Sequence, residues 1–171
     1  AGITKDRFLH KMSVEEWNAV INTNLNSAFN ITRNVIEGMR KKGWGRIVNI
    51  TSQAVNAPIP ALGLSNSARA GLTGYVAGTS RQVAEFGVTI NNLLPGVHDT
   101  DRIKSLDLHS AKQTGITPSE AKENRRNAIP AKRYGTIQEF GAACAFLCSQ
   151  QAGFIAGHNI LLDGGAVNSA L

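Results

Sequence analysis

Two short apolar segments constrain the fold of this chain more than any other feature. "GRIVNI" (45–50) and "VTINNLL" (88–94) come just after Gly43-Trp44 and Gly87, respectively, and are typical of strands buried inside a parallel sheet. A third segment, "NILLD" (159–163), predicts a last strand near the end of the chain. Helix-length segments separate the three, and connections of that length join parallel strands. The sequence therefore predicts an α/β fold in which helices cover both faces of a parallel sheet.

Capping boxes mark the starts of three predicted helices. In this motif a Ser or Thr and a Glu three residues later each satisfy the other residue's free backbone N–H. The pairs are Ser13 with Glu16, Thr117 with Glu120, and Thr136 with Glu139. The predicted helices extend from Ser13 to the Gly43 region, from about 65 to 86, from 118 to 128 and from 137 to 150. The segment 97–117 is polar and aperiodic, so we expect it to be irregular.

Length and composition indicate an ordinary globular protein. The chain has 171 residues, of which 42% are hydrophobic, and we expect one α/β domain over residues 1–171. No apolar segment approaches the roughly 18 residues of a membrane helix, and the first twelve residues include charges where a secretory signal is apolar. We expect a cytoplasmic protein with no membrane partner. Because the chain begins with Ala1, a fragment or a processed form is plausible.

The formal net charge of +6 raises the question of an acidic partner. The basic clusters at 40–42, 125–126 and 132–133 are small, and no aromatic residues alternate with them as in single-strand binding. We expect solvated faces and no nucleic-acid partner, with a phosphate-bearing substrate or cofactor as the open alternative. Cys144 and Cys148 lie four apart in an apolar segment, which favours core packing over a metal site, and we expect no metal.

The first places to look for a site are the residues that follow the two buried strands. Parallel sheets bind ligands at the carboxyl ends of their strands. Thr51, Ser52 and Gln53 follow the first strand, and the segment from Pro95 to Asp101 follows the second. Hydroxyl groups and a histidine are therefore predicted at one edge of the sheet.

Five motifs in order then suggest a family. They are "AGITKD", "NTNL", "GRIVNITS", "LLPG" and "IAGHNILLDGG". With them nearly the whole chain resembles the C-terminal two-thirds of a short-chain dehydrogenase/reductase, most of all the acetoacetyl-CoA and 3-oxoacyl-carrier-protein reductases. The resemblance implies a doubly wound, Rossmann-type sheet and NADP or NAD as cofactor. It also implies a carbonyl or alcohol substrate, with an acyl thioester among the candidates, a homodimer or homotetramer, and a substrate lid at 97–134.

The same resemblance assigns roles to individual residues. Asn24 corresponds to the asparagine that holds a water in the proton relay, and Ser52, 28 positions later, to the serine that binds the reacting carbonyl. The cofactor-binding positions that it implies are Ala1, Gly2, Arg69, Pro95, Gly96 and Thr100. An Asn24 that is only solvated or bonded to backbone, and a Thr100 that only caps a helix, remain open alternatives.

The catalytic tyrosine and lysine of the family are replaced in this chain. Ser65 stands 13 positions after Ser52, where the tyrosine is expected, and Arg69 stands four further, where the lysine is expected. A serine hydroxyl is too weak an acid for general acid catalysis near neutral pH. Arg69 can keep the charge and the ribose contact but cannot pass a proton. The candidate acids are His98, which follows the Pro-Gly turn, or a water held by Ser65, while a polar loop role for His98 stays open.

Three hypotheses follow from these residues. The first is an NAD(P)-dependent carbonyl reductase or alcohol dehydrogenase with an altered acid. The second is a cofactor-binding pseudo-enzyme or regulatory subunit without redox activity. The third is the second half of such a protein, because no glycine-rich phosphate turn is present and the 171 residues alone are then not expected to bind dinucleotide strongly.

Overall fold

The computed structural model describes residues 2–169 and confirms the parallel sheet. Its strands are β1 (Gly45–Ile50), β2 (Val88–Pro95) and β3 (Asn159–Leu162), in the order β1-β2-β3. Both pairings are parallel, with Gly45 opposite Val88 and Asn92 opposite Asn159. All three carboxyl ends therefore lie at one edge of the sheet, as the sequence predicted.

The first predicted helix is interrupted in its middle. Residues Val14–Ile21 form α1 and Ser27–Lys42 form α2, and Asn22–Asn26 between them form a π-helical turn. The Ser13–Glu16 capping box is present at the start of α1. A π turn has an i→i+5 hydrogen-bond pattern and often occurs at functional sites. Here it contains Asn24, one of the predicted site residues.

Helices cover both faces of the sheet. Helices α2 and α3 (Gly63–Thr79) pack on the face that presents Val88 and Ile90, where Leu72 and Val76 of α3 complete a buried cluster. Helix α6 (Ile137–Leu147) packs on the opposite face, where Arg46 Nε donates a hydrogen bond to the carbonyl of Ser149 at 3.0 Å. The doubly wound arrangement is confirmed.

Helix α3 ends earlier than predicted. Two short 3₁₀ turns, 80–82 and 84–86, replace the expected last turns of the helix and lead to Gly87. Gly87 has φ of +70°, and a Cβ there would lie 2.5 Å from the carbonyl oxygen of Gly43. The tighter turns and this glycine bring Val88 into register with Gly45 at the start of the sheet.

The expectation of an irregular segment at 97–117 is wrong. Residues Asp101–Thr114 form α4, and the hydroxyl of Thr100 accepts a hydrogen bond from the N–H of Ile103 as its N-cap. Only Asp107 and Ala111 of α4 are buried, so the sequence lacks the apolar periodicity that predicts a helix. Helices α5 (Pro118–Asn127) and α6 begin at their predicted capping boxes, and they end one and three residues earlier than expected.

A buried carboxylate joins α4 to α5 and to the loop that follows. Arg125 Nε donates to Asp107 Oδ1 at 2.6 Å, and the phenol of Tyr134 donates to Asp107 Oδ2 at 2.9 Å. Burial, followed by the hydrogen bond to Asp107, raises the pKa of Tyr134 to about 12. The segment after β2 thus contains a pair of helices, α4 and α5, that buried polar contacts hold together.

Cys148 is exposed, because α6 ends at Leu147 and Cys148 caps it, so the expected core packing is wrong for this residue.

Within residues 2–169 no three His, Cys, Asp or Glu side chains are grouped to hold a metal ion. Across the same residues, each helix is too short or too polar to cross a lipid bilayer.

Candidate active site

Two adjoining cavities lie at the carboxyl edge of the sheet. The smaller has a volume of about 310 Å³ and the larger about 450 Å³. Four residues border both: Thr4, Thr51, Arg69 and Arg102. Each volume lies within the range of small-molecule sites. The structure therefore has cavities at the ends of β1 and β2, where the sequence predicts the site.

Ser52 stands just beyond the end of β1 and borders the smaller cavity. Its hydroxyl oxygen accepts a hydrogen bond from the N–H of Ala54 at 3.1 Å, which starts a 3₁₀ turn. The hydroxyl hydrogen remains available to donate to a ligand oxygen. The neighbouring Thr51 Oγ1 is buried and has no hydrogen-bond partner within residues 2–169. Two hydroxyl groups can thus serve a ligand here.

Asn24 is buried in the π turn and holds the start of the described chain. Its Oδ1 accepts from the N–H of Ile3 at 2.9 Å, and its Nδ2 donates to the carbonyl of Ile3 at 2.8 Å. Gly2 and Asn24 both border the larger cavity. The side chain of Asn24 therefore positions residues 2–4 as a wall of the site. Ala1, also predicted to bind cofactor, lies outside the described residues.

Ser65 lies in the first turn of α3 and is 5% exposed. Its backbone N–H donates to Asp6 Oδ1 at 3.0 Å, and its hydroxyl donates to Asp6 Oδ2 in a short hydrogen bond. The serine proton is thus directed at a carboxylate that sequence reasoning missed. The two residues are 59 positions apart, so no local spacing could have indicated the pair.

Two guanidinium groups make the site positively charged. Arg69 Nη1 donates to the carbonyl of Thr51 at 2.5 Å, and Arg102 Nη2 donates to Thr4 Oγ1 at 3.3 Å. Burial, and then the charge of Arg102, lower the pKa of Arg69, while the charge of Asp6 acts in the opposite direction. By sequence, Arg102 is one of four basic residues, with Lys104, Arg125 and Arg126, that suit a phosphate-bearing thioester or a solvated loop equally well. Anions and oxygen-rich ligands suit such a cavity.

The turn after β2 brings the sheet edge close to β3. The N–H of Gly96 donates to the carbonyl of Leu162 at 2.8 Å. A Cβ on Gly96 would lie 2.6 Å from Asp163 Cα, so only glycine fits at this position. Pro95, Gly96 and Thr100 all border the smaller cavity. The N-cap role of Thr100 is confirmed, and its predicted contact with a cofactor stays a prediction.

His98 is held by contacts with the far side of the turn. His98 is 9% exposed, and its ring packs edge-on against Phe140 of α6, with the ring centroids 5.4 Å apart. Its Nδ1 lies 3.4 Å from the carbonyl oxygen of Gly96, and a Cβ on Gly135 would lie 2.7 Å from its Nε2. The residue borders the smaller cavity and a separate one of about 150 Å³. The imidazole is therefore packed between Phe140 of α6 and the backbone of Gly135.

Comparison with known proteins places this geometry in context. A family model described as enoyl-(acyl carrier protein) reductase matches residues 1–167. An acetoacetyl-CoA reductase of Cupriavidus necator is 41% identical over 167 residues, which are 96% of this chain and 63% of the relative. A 3-oxoacyl-[acyl-carrier-protein] reductase, FabG, of Vibrio cholerae serotype O1 is 36% identical over the same shares of the two chains.

A solved structure has the same architecture. YwfH, an NADPH dependent reductase involved in bacilysin biosynthesis, superposes with a TM-score of 0.91 at 28% identity. The match covers 99% of this chain and 65% of that protein. The chain thus spans a little less than two thirds of the length of the curated relatives and of the solved structure that it matches.

Proposed function

The chain belongs to the short-chain dehydrogenase/reductase family, and from that premise we propose that it takes part in hydride transfer between NADP or NAD and a carbonyl compound or the matching alcohol. One observation supports this most. Asn24, Ser52, Ser65, Arg69 and the turn from Pro95 to Thr100 border two adjoining cavities at the carboxyl edge of the sheet. No observation favours the alternative of a cofactor-binding protein without redox activity.

The two adjoining cavities together fit the nicotinamide and ribose end of such a cofactor. The buried Thr51 Oγ1 lacks a partner within residues 2–169, and the guanidinium of Arg69 stands beside it with donors for ribose hydroxyls. Gly2 would face the same end, and Pro95, Gly96 and Thr100 would border the ring and its carboxamide. When bound, the nicotinamide supplies or takes up the hydride. The residues of the chain bind and orient it.

Ser52 is the proposed donor to the substrate oxygen. Its hydroxyl hydrogen is free, because the oxygen accepts from Ala54 while no carbonyl within the described chain receives its proton. Donors aimed at a developing oxyanion lower the barrier by about 3–4 kcal/mol each. Arg69 would add positive charge beside the same oxygen. Asn24 acts by holding the wall of residues 2–4 in place.

The substrate that we propose is a 3-oxoacyl compound, with an acyl thioester as the first candidate. The names of the relatives, acetoacetyl-CoA reductase and 3-oxoacyl-[acyl-carrier-protein] reductase, support this class. Four basic residues of the proposed 97–134 lid could meet a negatively charged substrate. Lys104, Arg125 and Arg126 are paired with Asp101, Asp107 and Glu123. Arg102 alone among the four borders the cavities, so it is the proposed contact for a substrate anion.

A homodimer or homotetramer and a cytoplasmic location complete the proposal. Phe29, Ile31 and Val35 of α2 are exposed, and Phe154, ahead of β3, is fully exposed at 103%. Apolar surface of this kind is typical of protein–protein interfaces, and it supports a homo-oligomer. Light scattering on purified protein would measure the mass in solution. The cytoplasmic location stays a prediction.

A turnover assay tests the proposed function. The full-length protein would be incubated with NADPH or NADH and 3-oxoacyl thioesters, 3-oxo acids or simple ketones, while nicotinamide absorbance is followed. We expect turnover with at least one 3-oxo compound, and a fall of about 10²–10³-fold in Ser52→Ala. Ser67→Ala is the matched control, because Ser67 is an exposed serine of α3. No turnover with any substrate would overturn the proposal, and unchanged turnover in His98→Ala would remove His98 from the acid role.

A further inference from the structure

The hydroxyl at the tyrosine position is bound to a carboxylate. Asp6 accepts both the N–H and the O–H of Ser65, one with each of its oxygens. The serine proton therefore points away from the cavity, and the lone pairs of Ser65 Oγ are left to accept another proton. A serine held in this way is a different chemical group from the isolated alcohol that the sequence suggests.

The position of the pair connects the cavity with the exterior. Ser65 is almost fully buried and borders the cavity of about 310 Å³ together with Ser52. Asp6 lies behind it and is only half-buried, so its carboxylate can exchange protons with solvent. A continuous hydrogen-bonded path thus leads from the cavity through Ser65 Oγ to Asp6.

We propose that Ser65 and Asp6 form a proton relay that replaces the phenol absent from this site. The proposal rests on the proposed function. In alcohol oxidation, a bound oxidised nicotinamide would take up the hydride from the substrate carbon, and the hydroxyl proton of the substrate passes to Ser65 Oγ, directly or through one water. The proton of Ser65 passes at the same time to Asp6. The products are the carbonyl, the reduced nicotinamide and a protonated Asp6, which releases its proton to solvent.

Carbonyl reduction uses the same path in reverse. Protonated Asp6 gives its proton to Ser65, and Ser65 gives its own to the substrate oxygen as hydride reaches the carbon. A serine alone cannot do this, because its hydroxyl does not ionise in the working range, and Arg69 does not release its proton. The charge of Arg69 acts on Asp6 through space and stays fixed beside the relay.

Asp6 does not border the cavities and acts through Ser65, so it is a positioning residue that also accepts and returns the Ser65 proton. A purely structural role would be to hold the first turn of α3 in place through the Ser65 N–H. Asp6→Asn separates the two roles, because the amide oxygen can still accept one hydrogen bond from Ser65 while the group cannot take up a proton. Asp6→Glu keeps the proton chemistry with a longer side chain.

The test compares pH profiles of turnover in the full-length protein. We expect Asp6→Asn to lower kcat for alcohol oxidation by about 10²-fold or more. We also expect it to change the pH profile of kcat, to reduce the solvent deuterium isotope effect and to change the melting temperature little. Ser65→Ala should have the same effect, and the double variant should be no slower than either single variant. Asp6→Glu should regain part of the rate, and Ser67→Ala should match the wild type.

The possible outcomes distinguish the two proposals. Wild-type rates and an unchanged pH profile in Asp6→Asn would overturn the relay and leave the proposed function intact. A slow Asp6→Asn variant with the wild-type pH profile and no rescue by Asp6→Glu would show a structural clamp, which also overturns the relay. No turnover by the wild-type protein with any substrate would overturn both.

Discussion

Replacing Asp107 by alanine should loosen the pair of helices, α4 and α5, that borders the candidate active site. Asp107 is 4% exposed, and each of its oxygens has one partner, Arg125 Nε at 2.6 Å and the Tyr134 phenol at 2.9 Å. Without the carboxylate, Arg125 loses its ion pair, and Tyr134 keeps only a long contact of 3.4 Å to the carbonyl of Lys122. Apart from Asp107, the buried residues of α4 and α5 are Ala111 and Ala121, so little else holds these helices together.

The size of the effect follows from burial. Removing one partner of a buried ion pair costs about 3–5 kcal/mol. The side chain of Arg125 is 31% exposed and can be rehydrated, so we expect the lower end, about 3 kcal/mol. Because about 1.4 kcal/mol is a factor of ten, the equilibrium for local opening should rise roughly 100-fold. Asp107→Asn retains an acceptor and should give about half of this free energy.

Hydrogen exchange of the full-length protein measures this opening. Amides of α5 and of residues 128–135 should exchange roughly 100-fold faster in Asp107→Ala, while those of β2 should change little. Because Arg102 and Ile103 at the start of α4 border the cavity, KM should rise more than kcat falls. Asp101→Asn, an exposed change on the same helix, is the control. Unchanged exchange in α5, or equal acceleration in α5 and β2, would refute the reasoning.

Three other expectations follow from the structure. Because the pKa of Tyr134 is raised to about 12, its neutral phenol stabilises the fold below about pH 10, and this contribution is lost as pH rises through 12. In a pH titration, the phenolate absorbance that the wild type has and Tyr134→Phe lacks should therefore appear near pH 12. Its appearance near pH 10 would contradict the hydrogen bond to Asp107. Hydrogen bonds from Arg133 and from the N-cap backbone lower the pKa of Glu139 to about 2. The stabilisation by the Glu139 carboxylate is therefore present above about pH 4 and is lost as pH falls towards 2. Glu139→Gln should have a lower melting temperature than the wild type at pH 7 and the same melting temperature at pH 2. An equal difference in melting temperature at both pH values would argue against the Arg133–Glu139 ion pair. Ser65→Tyr should make turnover insensitive to Asp6→Asn, because a phenol supplies the proton itself, and a continued dependence on Asp6 would mean that Asp6 acts elsewhere.

The sequence predicts the sheet well because its signals are local. "GRIVNI" and "VTINNLL" are short apolar segments that end at the site, and capping boxes such as Thr136 with Glu139 define helix starts within four residues. The sequence did not predict helix α4, because one of its two buried residues, Asp107, is charged. Its partners, Arg125 and Tyr134, lie 18 and 27 positions away. Pattern arguments do not detect stabilisation of that kind.

The candidate site divides in the same way. Ser52, Ser65 and Arg69 stand at fixed spacings on one strand end and one helix, so a resemblance could locate them, and the structure brings them to the same cavity. Asp6 and Arg102 reach the site only through the fold, since their partners Ser65 and Thr4 are 59 and 98 positions distant. The residues that alter the chemistry of the site are thus the ones that local spacing does not reveal.

The two replacements at Ser65 and Arg69 form a coherent pair in this geometry. Arg69 Nη1 is bound to the carbonyl of Thr51, and Arg69 Nη2 lies 3.9 Å from where a Cβ on Gly2 would stand, so one guanidinium extends from one strand end to the opposite wall. It supplies charge over both cavities but gives up no proton. A short hydroxyl at position 65 leaves space in the smaller cavity and brings Asp6, an ionisable group, into contact with the hydroxyl. In the proposed relay, charge and proton transfer belong to different side chains, Arg69 and the Ser65–Asp6 pair.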